Sequence, residues 1–238
     1  MEKVFTLEQM KKKLPWILGA LAVGVVLFVA APFIYKVARG GDDDPAASVA
    51  TEGAEAATVD LDGTWTVVPG EPPNTTAAGY TVDEMLRGEP VTVVGTTDEV
   101  VGEARIVDAT LTEARFEVQV ADIATDSGSR DSQFRGADIA DASTHPTATI
   151  ALAEEAGPAD VPDDGSATTI PTQVDLTVKG TTVRKPVDVT VLRTGERLIA
   201  SGSIDMEWTE VGVEPPNLGF VSVEPTGTID FLVSLEKR

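Results

Sequence analysis

The chain contains 238 residues, of which 42% are hydrophobic, 24% are charged and only 5% are aromatic. Its net charge of −21 argues against a nucleic-acid partner, because proteins bind phosphates through basic side chains that neutralise them. The chain has no cysteine and one histidine, which excludes disulfides, thiol catalysis and multi-histidine metal sites.

A long apolar run near the start of the chain is the first predicted element. The run from Leu14 to Tyr35 contains no charged side chain, and as a helix it is long enough to cross the roughly 30 Å of hydrocarbon in a bilayer. Trp16 and Tyr35 lie at its two ends, where aromatic rings favour the lipid headgroups. The run therefore predicts a transmembrane helix at residues 14–36, through which the protein contacts the membrane.

The distribution of charge predicts the orientation of this helix. Residues 1–40 contain six basic and two acidic side chains, so the rest of the chain carries a net charge of −25. Because basic residues stay on the cytoplasmic side, residues 1–13 are predicted to be cytoplasmic and the C-terminal domain extracytoplasmic. The alternative is a cleaved secretory signal ending near Ala31, although the apolar run is longer than the core of an ordinary signal peptide. The favoured localisation is the cell membrane, with a single pass.

The composition changes after the apolar run. Residues 37–62 are rich in glycine, alanine, aspartate, glutamate and threonine and contain few large hydrophobic side chains. A segment of this composition does not bury enough apolar surface to fold by itself. The sequence therefore predicts a flexible acidic linker at 37–62, followed by a folded domain at 63–238.

Apolar and polar residues alternate within residues 63–238, which is typical of antiparallel strands with one dry face. In addition to the alternating runs that are listed at the end of this paragraph, strands are predicted at 64–68, 79–85, 91–95 and 102–107. Short strands repeated in this way predict either a sandwich or a closed barrel, while residues 129–143 break the pattern and predict a short helix or a cap. The apolar positions of the alternating runs are Phe116, Val118 and Val120; Ala148, Ile150 and Leu152; Val174, Leu176 and Val178; Val187, Val189 and Val191; Ile204, Met206 and Trp208; and Ile229, Phe231, Val233 and Leu235.

Few side chains offer catalytic chemistry. His145 is followed directly by a proline and the chain has no Gly-x-Ser-x-Gly motif, so we interpret this histidine as a strand-entry residue. No catalytic or metal-binding residue is predicted. Arg130, Phe134 and Arg135 lie in the segment that breaks the strand pattern, where they could form a lid or contact a head group. The alternative is that Arg130 and Asp131 only stabilise the short helix and its contacts.

Several short segments occur in a fixed order along the domain. The most specific are Leu176 to Thr182 (Leu-Thr-Val-Lys-Gly-Thr-Thr), the Arg-Asp pair at Arg130, and the His-Pro pair at His145. In this order, and together with the segments listed next, they resemble the YceI-like family over about residues 63–236. The other matching segments are 63–67, 79–84, 94–97, 100–102, 134–136, 146–150, 187–191, 202–208 and 227–231.

The resemblance implies an all-β fold, namely an antiparallel, lipocalin-like β-barrel of about eight strands with a short helix. It also implies a binding protein and not an enzyme, which holds a polyisoprenoid or a quinone-like lipid in an apolar lumen and needs no other cofactor. The alternative is a tethered protein-interaction module with a filled core and an unknown protein partner. The lumen residues that the alternation and the resemblance suggest are Phe116, Val118, Val120, Ile150, Leu152, Val174, Leu176, Val189, Ile204, Met206, Trp208 and Phe231.

Overall fold

The structure is a computed structural model that describes residues 48–238. The predicted cytoplasmic segment 1–13 and the predicted transmembrane helix 14–36 lie outside the described residues. Among residues 48–238, the structure contains no helix that is both long and apolar enough to span a bilayer.

Strands make up most of the described chain. Within residues 48–238, one α-helix, α1, covers Gly128–Phe134, and two short 3-10 helices cover Val120–Asp122 and Trp208–Val211. The strands are β1 (Gly63–Val68), β2 (Gly70–Glu71), β3 (Asn74–Thr75), β4 (Ala77–Leu86), β5 (Glu89–Thr97), β6 (Val100–Val107), β7 (Thr110–Gln119), β8 (Thr147–Leu152), β9 (Ala167–Val178), β10 (Thr181–Thr194), β11 (Arg197–Glu207) and β12 (Val221–Lys237).

Eight of these strands close into a ring. They pair in the order β1-β6-β7-β8-β9-β10-β11-β12, and β12 pairs again with β1. Every pairing in the ring is antiparallel. Of the two architectures that the alternation allowed, the structure therefore has the barrel, and α1 lies where the sequence predicted a short helix or cap.

The last strand closes the barrel because its two parts have different partners along one edge. Residues 221–232 of β12 pair with β4, with a register shift between Val223 and Gly227. Residues 234–237 then pair with β1. The hairpin of β4 and β5 therefore extends the sheet beside β12 over the part of that strand that β1 does not reach.

The predicted linker differs from what the structure shows. Of residues 37–62, the structure describes 48–62, and these residues contact the barrel. The backbone N–H groups of Ala57 and Thr58 donate to Asp163 and Gly195, at 2.8 Å each. Val59 and Leu61 pack against the core, and the Trp65 indole donates to the Leu61 carbonyl at 2.8 Å. The prediction of a flexible linker is wrong for these residues, because single apolar side chains in a polar segment find their partners only in the folded barrel.

The end of β11 also differs from the sequence prediction. Trp208 was expected in the strand, but β11 ends at Glu207 and Trp208 begins a 3-10 helix. The side chains of Glu207 and Glu210 cap this turn reciprocally, which satisfies backbone N–H groups that have left the sheet. The turn places the Trp208 ring over Gly227, where a Cβ atom would lie only 2.5 Å from Trp208 Cζ2.

Close approach of two strands makes Gly79 a sensitive position. A Cβ atom at Gly79 would lie 1.8 Å from the backbone carbonyl oxygen of Gly95. We expect Gly79→Ala to lower the free energy of unfolding by about 1–3 kcal/mol, because backbone atoms cannot move aside as a flexible side chain can. Urea denaturation of the two proteins measures the difference. Gly128→Ala is the control, since a Cβ atom there meets no atom within 4 Å, and an equal loss in both variants would contradict the prediction.

Candidate functional site

The barrel contains an inner cavity of about 120 Å³. Alanine side chains from several strands line it, together with larger aliphatic residues and Phe116. Thr172 is the one polar side chain in the lining, and its hydroxyl donates to the Ile170 carbonyl at 3.1 Å. Its walls therefore offer no unpaired polar side chain, and an apolar cavity of this kind excludes ordered water.

A second, outer cavity of about 460 Å³ lies between the β4–β5 hairpin, α1 and the segment before β12. This volume falls in the range of about 300–1,000 Å³ that is usual for small-molecule sites. Ala78, Val118 and Ile150 line both cavities, so these three residues lie between the two. The two cavities are therefore neighbours.

Strand β4 forms a wall of the outer cavity. Ala78, Tyr80, Val82, Glu84 and Leu86 line it, because alternate residues of a strand point to the same face. At about 3.3 Å per residue, these positions run from the junction with the inner cavity to the region of the β4–β5 turn. Of these five side chains only Glu84 is charged, and it is just 7% exposed.

Helix α1 covers the outer cavity through two contacts with β4. The Phe134 ring stacks on Tyr80, with ring centroids 4.9 Å apart and planes 23° apart. Arg130 Nη2 donates to Glu84 Oε1 at 3.0 Å. Arg130 and Phe134 lie four residues apart and so share one face of the helix, which is the face that meets the cavity. Burial raises the pKa of Tyr80 to about 12, which keeps this phenol protonated and uncharged.

A buried carboxylate holds the loop before α1. Asp131 Oδ1 accepts hydrogen bonds from the Thr125 hydroxyl at 2.7 Å and from the Thr125 backbone N–H at 2.9 Å. The Thr125 hydroxyl is the main cause of a lowered Asp131 pKa, which burial opposes and the guanidinium of Arg135 reinforces. The Arg135 guanidinium donates to the Ala121 carbonyl at 3.1 Å, and Thr96 and Ala124 exchange two backbone hydrogen bonds at 3.0 Å each. These contacts fix α1 against β5.

Apolar side chains surround the opening of the outer cavity. Leu218 and Phe220 line it and are still 55% and 58% exposed. Their segment is attached to the sheet, because the Phe220 carbonyl accepts from Arg87 N at 2.7 Å and the Val221 carbonyl accepts from Leu218 N at 2.8 Å. The opening therefore exposes apolar side chains, and the hydrogen bonds to the sheet hold the backbone that carries them in place.

Most of the residues suggested from the sequence line one or both cavities. Two do not, because Ile204 and Met206 are fully buried in the core cluster and reach neither cavity. Among the proposed lid residues, Arg130 and Phe134 line the outer cavity, whereas Arg135 does not and binds backbone carbonyls of the neighbouring loop. The residues that do line a cavity are Phe116, Val118, Val120, Ile150, Leu152, Val174, Leu176, Val189, Trp208 and Phe231.

The strand predicted at 79–85 is present as β4, but the sequence did not indicate that β4 forms a wall of the outer cavity, nor did it indicate the opening. Tyr80 and Glu84 are a phenol and a carboxylate on the inner face, so the strand lacks the apolar alternation that marked the others. Leu218 and Phe220 follow Pro215 and Pro216 in a segment where hydrophobic residues do not recur at a regular spacing. The regular spacing of Tyr80, Val82, Glu84 and Leu86 is the signal that could have identified the strand wall.

Residues 48–238 contain no group of three or more histidine, aspartate or glutamate side chains arranged to hold a metal ion. His145 lies against Gly180 in the β9–β10 turn, where a Cβ atom would be 2.7 Å from its Cε1 atom. The next residue, Pro146, accepts a backbone hydrogen bond from Val120 at 2.9 Å. This position, just before β8, agrees with the strand-entry interpretation of His145.

Comparison with known proteins identifies the family. The model of the YceI-like domain matches residues 65–235, which is most of the chain. The chain belongs to the YceI-like family. This is a family of binding proteins and not of enzymes. No curated protein sequence matches the chain.

Two solved structures show the same fold as this YceI-like chain. BcnA of Burkholderia cenocepacia is 20% identical, with a TM-score of 0.51, and the match covers 66% of this chain and 95% of BcnA. A polyisoprenoid-binding domain of Saccharophagus degradans, implicated in plant cell wall breakdown, is 14% identical, with a TM-score of 0.53. That match covers 73% of this chain and 98% of the domain. At these identities the likeness establishes the barrel architecture.

The hydrogen bond between Thr125 and Asp131 gives a test of the loop before α1. Thr125→Val removes the hydroxyl that contributes most to the lowered pKa, so the pKa of Asp131 should rise toward the ordinary value of an aspartate. A lowered carboxyl pKa stabilises the fold above the ordinary pKa, and this contribution is lost as the pH falls through the lowered value. The variant should therefore be less stable than the wild type near neutral pH, with a difference that shrinks on acidification.

Carboxyl carbon NMR titration and urea unfolding at several pH values measure these two effects. Thr112→Val is the matched control, because the Thr112 hydroxyl is exposed and donates to the Arg105 carbonyl at 3.2 Å instead of to a carboxylate. A stability difference for Thr125→Val that does not depend on pH would contradict the assigned role of Asp131.

Proposed function

We propose that this chain is a membrane-anchored, extracytoplasmic binding protein that holds a polyisoprenoid or a similar amphiphilic lipid in its barrel. The observation that carries the proposal is the pair of neighbouring cavities, of about 120 Å³ and about 460 Å³, that share Ala78, Val118 and Ile150 as lining residues. The similarity to a polyisoprenoid-binding domain of Saccharophagus degradans supports the same ligand class.

The lining of the cavities favours an apolar chain with one polar end. The inner cavity is apolar apart from Thr172, while the charged side chains Glu84 and Arg130 occur in the outer cavity. Each methylene group that leaves water contributes about 0.8 kcal/mol, so ten of them supply about 8 kcal/mol before the costs of ordering. A net gain of that size would correspond to roughly micromolar affinity, so a tail longer than ten methylene groups is needed to offset the costs of ordering. The lipid tail would enter the inner cavity and its polar end would stay near Glu84.

The alternative of a protein-interaction module assumed a filled core. The two neighbouring cavities are unfilled, and they favour the lipid carrier over that alternative. The exposed side chains of Leu218 and Phe220 at the opening support transfer of a lipid from a membrane. They would shield an apolar ligand from water as it leaves the bilayer.

The proposed anchor is the apolar segment at residues 14–36, with the N-terminus in the cytoplasm and the barrel outside. It rests on the uncharged run from Leu14 to Tyr35 and on the three lysines that precede it. An anchored barrel would stay close to the bilayer, where long prenyl lipids are concentrated because they are poorly soluble in water.

Filling the junction between the cavities tests lipid binding. Ala78 lines both cavities, so Ala78→Phe should block the passage of a lipid tail into the inner one. We expect the affinity of the full chain for geranylgeraniol to fall about ten-fold or more, measured by titration calorimetry at a fixed concentration of non-ionic detergent. Val101→Phe introduces the same phenyl ring at a position that is 60% exposed and serves as the control. Equal binding by the wild type and Ala78→Phe would argue against the proposed site.

Membrane fractionation tests the anchor. The full chain should stay in the membrane pellet after extraction with alkaline carbonate, because a spanning helix is held by the hydrophobic effect and not by charge. Protease added to intact spheroplasts should have access to the barrel domain, because this domain lies outside the membrane. Residues 1–13 should remain protected. Release of the chain by carbonate would contradict the anchor without affecting lipid binding.

A further inference from the structure

Exposed apolar side chains gather at one tip of the barrel domain. The tip consists of residues 85–89, around the β4–β5 turn, and residues 217–222, which form a hairpin at the start of β12. Five large hydrophobic side chains are exposed among residues 48–238, and three of them lie in the tip. They are Met85, Leu218 and Phe220, which are 42%, 55% and 58% exposed. Exposed apolar side chains that cluster in this way mark an interaction surface.

Backbone hydrogen bonds join the two parts of the tip. The Arg87 N–H donates to the Phe220 carbonyl at 2.7 Å, and the Leu218 N–H donates to the Val221 carbonyl at 2.8 Å. Polar backbone groups enter an apolar medium at low cost only when they are already hydrogen-bonded. The tip therefore suits a partner that offers no fixed donors or acceptors. The acyl chains of a lipid bilayer are such a partner.

The charge of the chain indicates which bilayer the tip fits. The β4–β5 turn carries the exposed side chains of Arg87 and Glu89, whose charges balance one another. Residues 41–238 together carry a net charge of −25, which repels anionic head groups. The same charge opposes the close approach of a second copy of the chain. A bilayer of zwitterionic lipids meets neither obstacle.

The chain between the proposed anchor and the barrel is long enough for the tip to reach a bilayer. Residues 37–47 are eleven in number and span at most about 40 Å when fully extended. Val49 N donates to Ser201 Oγ at 3.2 Å, and Ser201 pairs with Leu232 of β12. The tip includes Val221, which comes eleven residues before Leu232 on the same strand and lies at most about 36 Å from it. The two lengths match, so the anchor does not prevent contact between the tip and the membrane.

We infer that the tip docks on the surface of a zwitterionic lipid bilayer, with Leu218 and Phe220 at the boundary between the head groups and the acyl chains. These two residues also line the outer cavity, so docking places the cavity opening against the bilayer. The inference rests on the proposed function, because it gives a lipid a path between bilayer and cavity that does not cross water.

A single fluorescent label measures the docking, since the chain has no cysteine of its own. Met85→Cys is labelled with the fluorophore NBD in the full chain, which is reconstituted into phosphatidylcholine vesicles. Met85 lies in the tip and lines neither cavity, so Leu218 and Phe220 stay intact. A nitroxide on the upper part of the acyl chains should quench this label at least about two-fold, because docked apolar groups reach this depth. The same label at Val101→Cys, on the exposed side of β6, should keep its fluorescence.

Removal of the two apolar side chains tests their role. Leu218→Ser/Phe220→Ser should reduce the quenching of the Met85→Cys label several-fold, because serine gains little from leaving water. Val101→Ser/Val107→Ser is the matched control, since it removes two exposed apolar side chains of β6 that line neither cavity. This control should leave the quenching unchanged. Vesicles of phosphatidylglycerol should give weaker quenching than phosphatidylcholine, because the acidic domain is repelled.

The remaining outcomes contradict the inference in separate ways. Equal quenching of the labels at positions 85 and 101, or equal quenching in the serine variant and its control, would overturn the docking and leave the anchor and lipid binding intact. Quenching as strong in phosphatidylglycerol as in phosphatidylcholine would overturn the assignment of a zwitterionic surface. Disulfide-linked pairs of chains formed through Met85→Cys, without quenching by lipid, would show that a second copy covers the tip.

Two further measurements separate this inference from the proposed function. Failure of the full chain to float with the vesicles would overturn the anchor together with the docking. Geranylgeraniol binding in detergent is measured on the same proteins, and its absence would overturn lipid binding while the quenching result stands. Circular dichroism of each variant shows that the barrel is folded before the variants are compared.

Discussion

Closure of the sheet by β12 is the constraint on which the rest of the structure depends. Its residues 221–232 pair with β4 and its residues 234–237 pair with β1, so one edge of a single strand serves both the ring and the added hairpin. Pairing with β4 and β1 covers most of this edge, apart from the register shift between Val223 and Gly227. The hairpin of β4 and β5 then forms the wall against which α1 packs, and the outer cavity exists because this wall and the ring enclose space between them.

The interior stays open because small side chains occupy many inward positions. Ala78, Ala104, Ala114 and Ala200 line the inner cavity where bulkier residues would fill it. Protein interiors normally reach the density of organic crystals, so a void of this kind gives up dispersion contacts that its lining could have made. A lipid tail would restore those contacts, and this is the physical link between the composition of the lumen and the function we propose.

Polar groups appear in the outer part of the lumen and are arranged in pairs. Arg130 and Glu84 neutralise one another across the cavity, while Phe134 stacks on Tyr80 one turn along the same helix face. These two contacts, an ion pair and a stack of two aromatic rings, hold α1 over the cavity. The arrangement places one ion pair in an otherwise mainly apolar lining, which suits a ligand whose hydrophobic tail is much larger than its head.

Alternation of apolar and polar residues within a strand and pairing between distant strands determine different features of this structure. Alternation along β7, β8 and β9 was sufficient to predict which side chains face inward, because the pleat of a strand fixes the face of each residue wherever the strand lies. It could not distinguish a sandwich from a barrel, since that choice depends on which distant strands meet. It predicted a strand at 79–85 but not that β4 faces the outer cavity, because Tyr80 and Glu84 replace the expected apolar residues and find their partners only in α1.

The sequence by itself determined the strand character of the domain, its cysteine-free and strongly acidic composition, its inward faces and its family resemblance, all of which follow from residue type and spacing. Only the tertiary structure decided that the strands close into a ring, that residues 48–62 pack against it, and that Ile204 and Met206 belong to the solid core instead of the lumen. The reason is that cavities and covers arise from the register and curvature of strands far apart in the chain. The period of an individual strand carries no information about either.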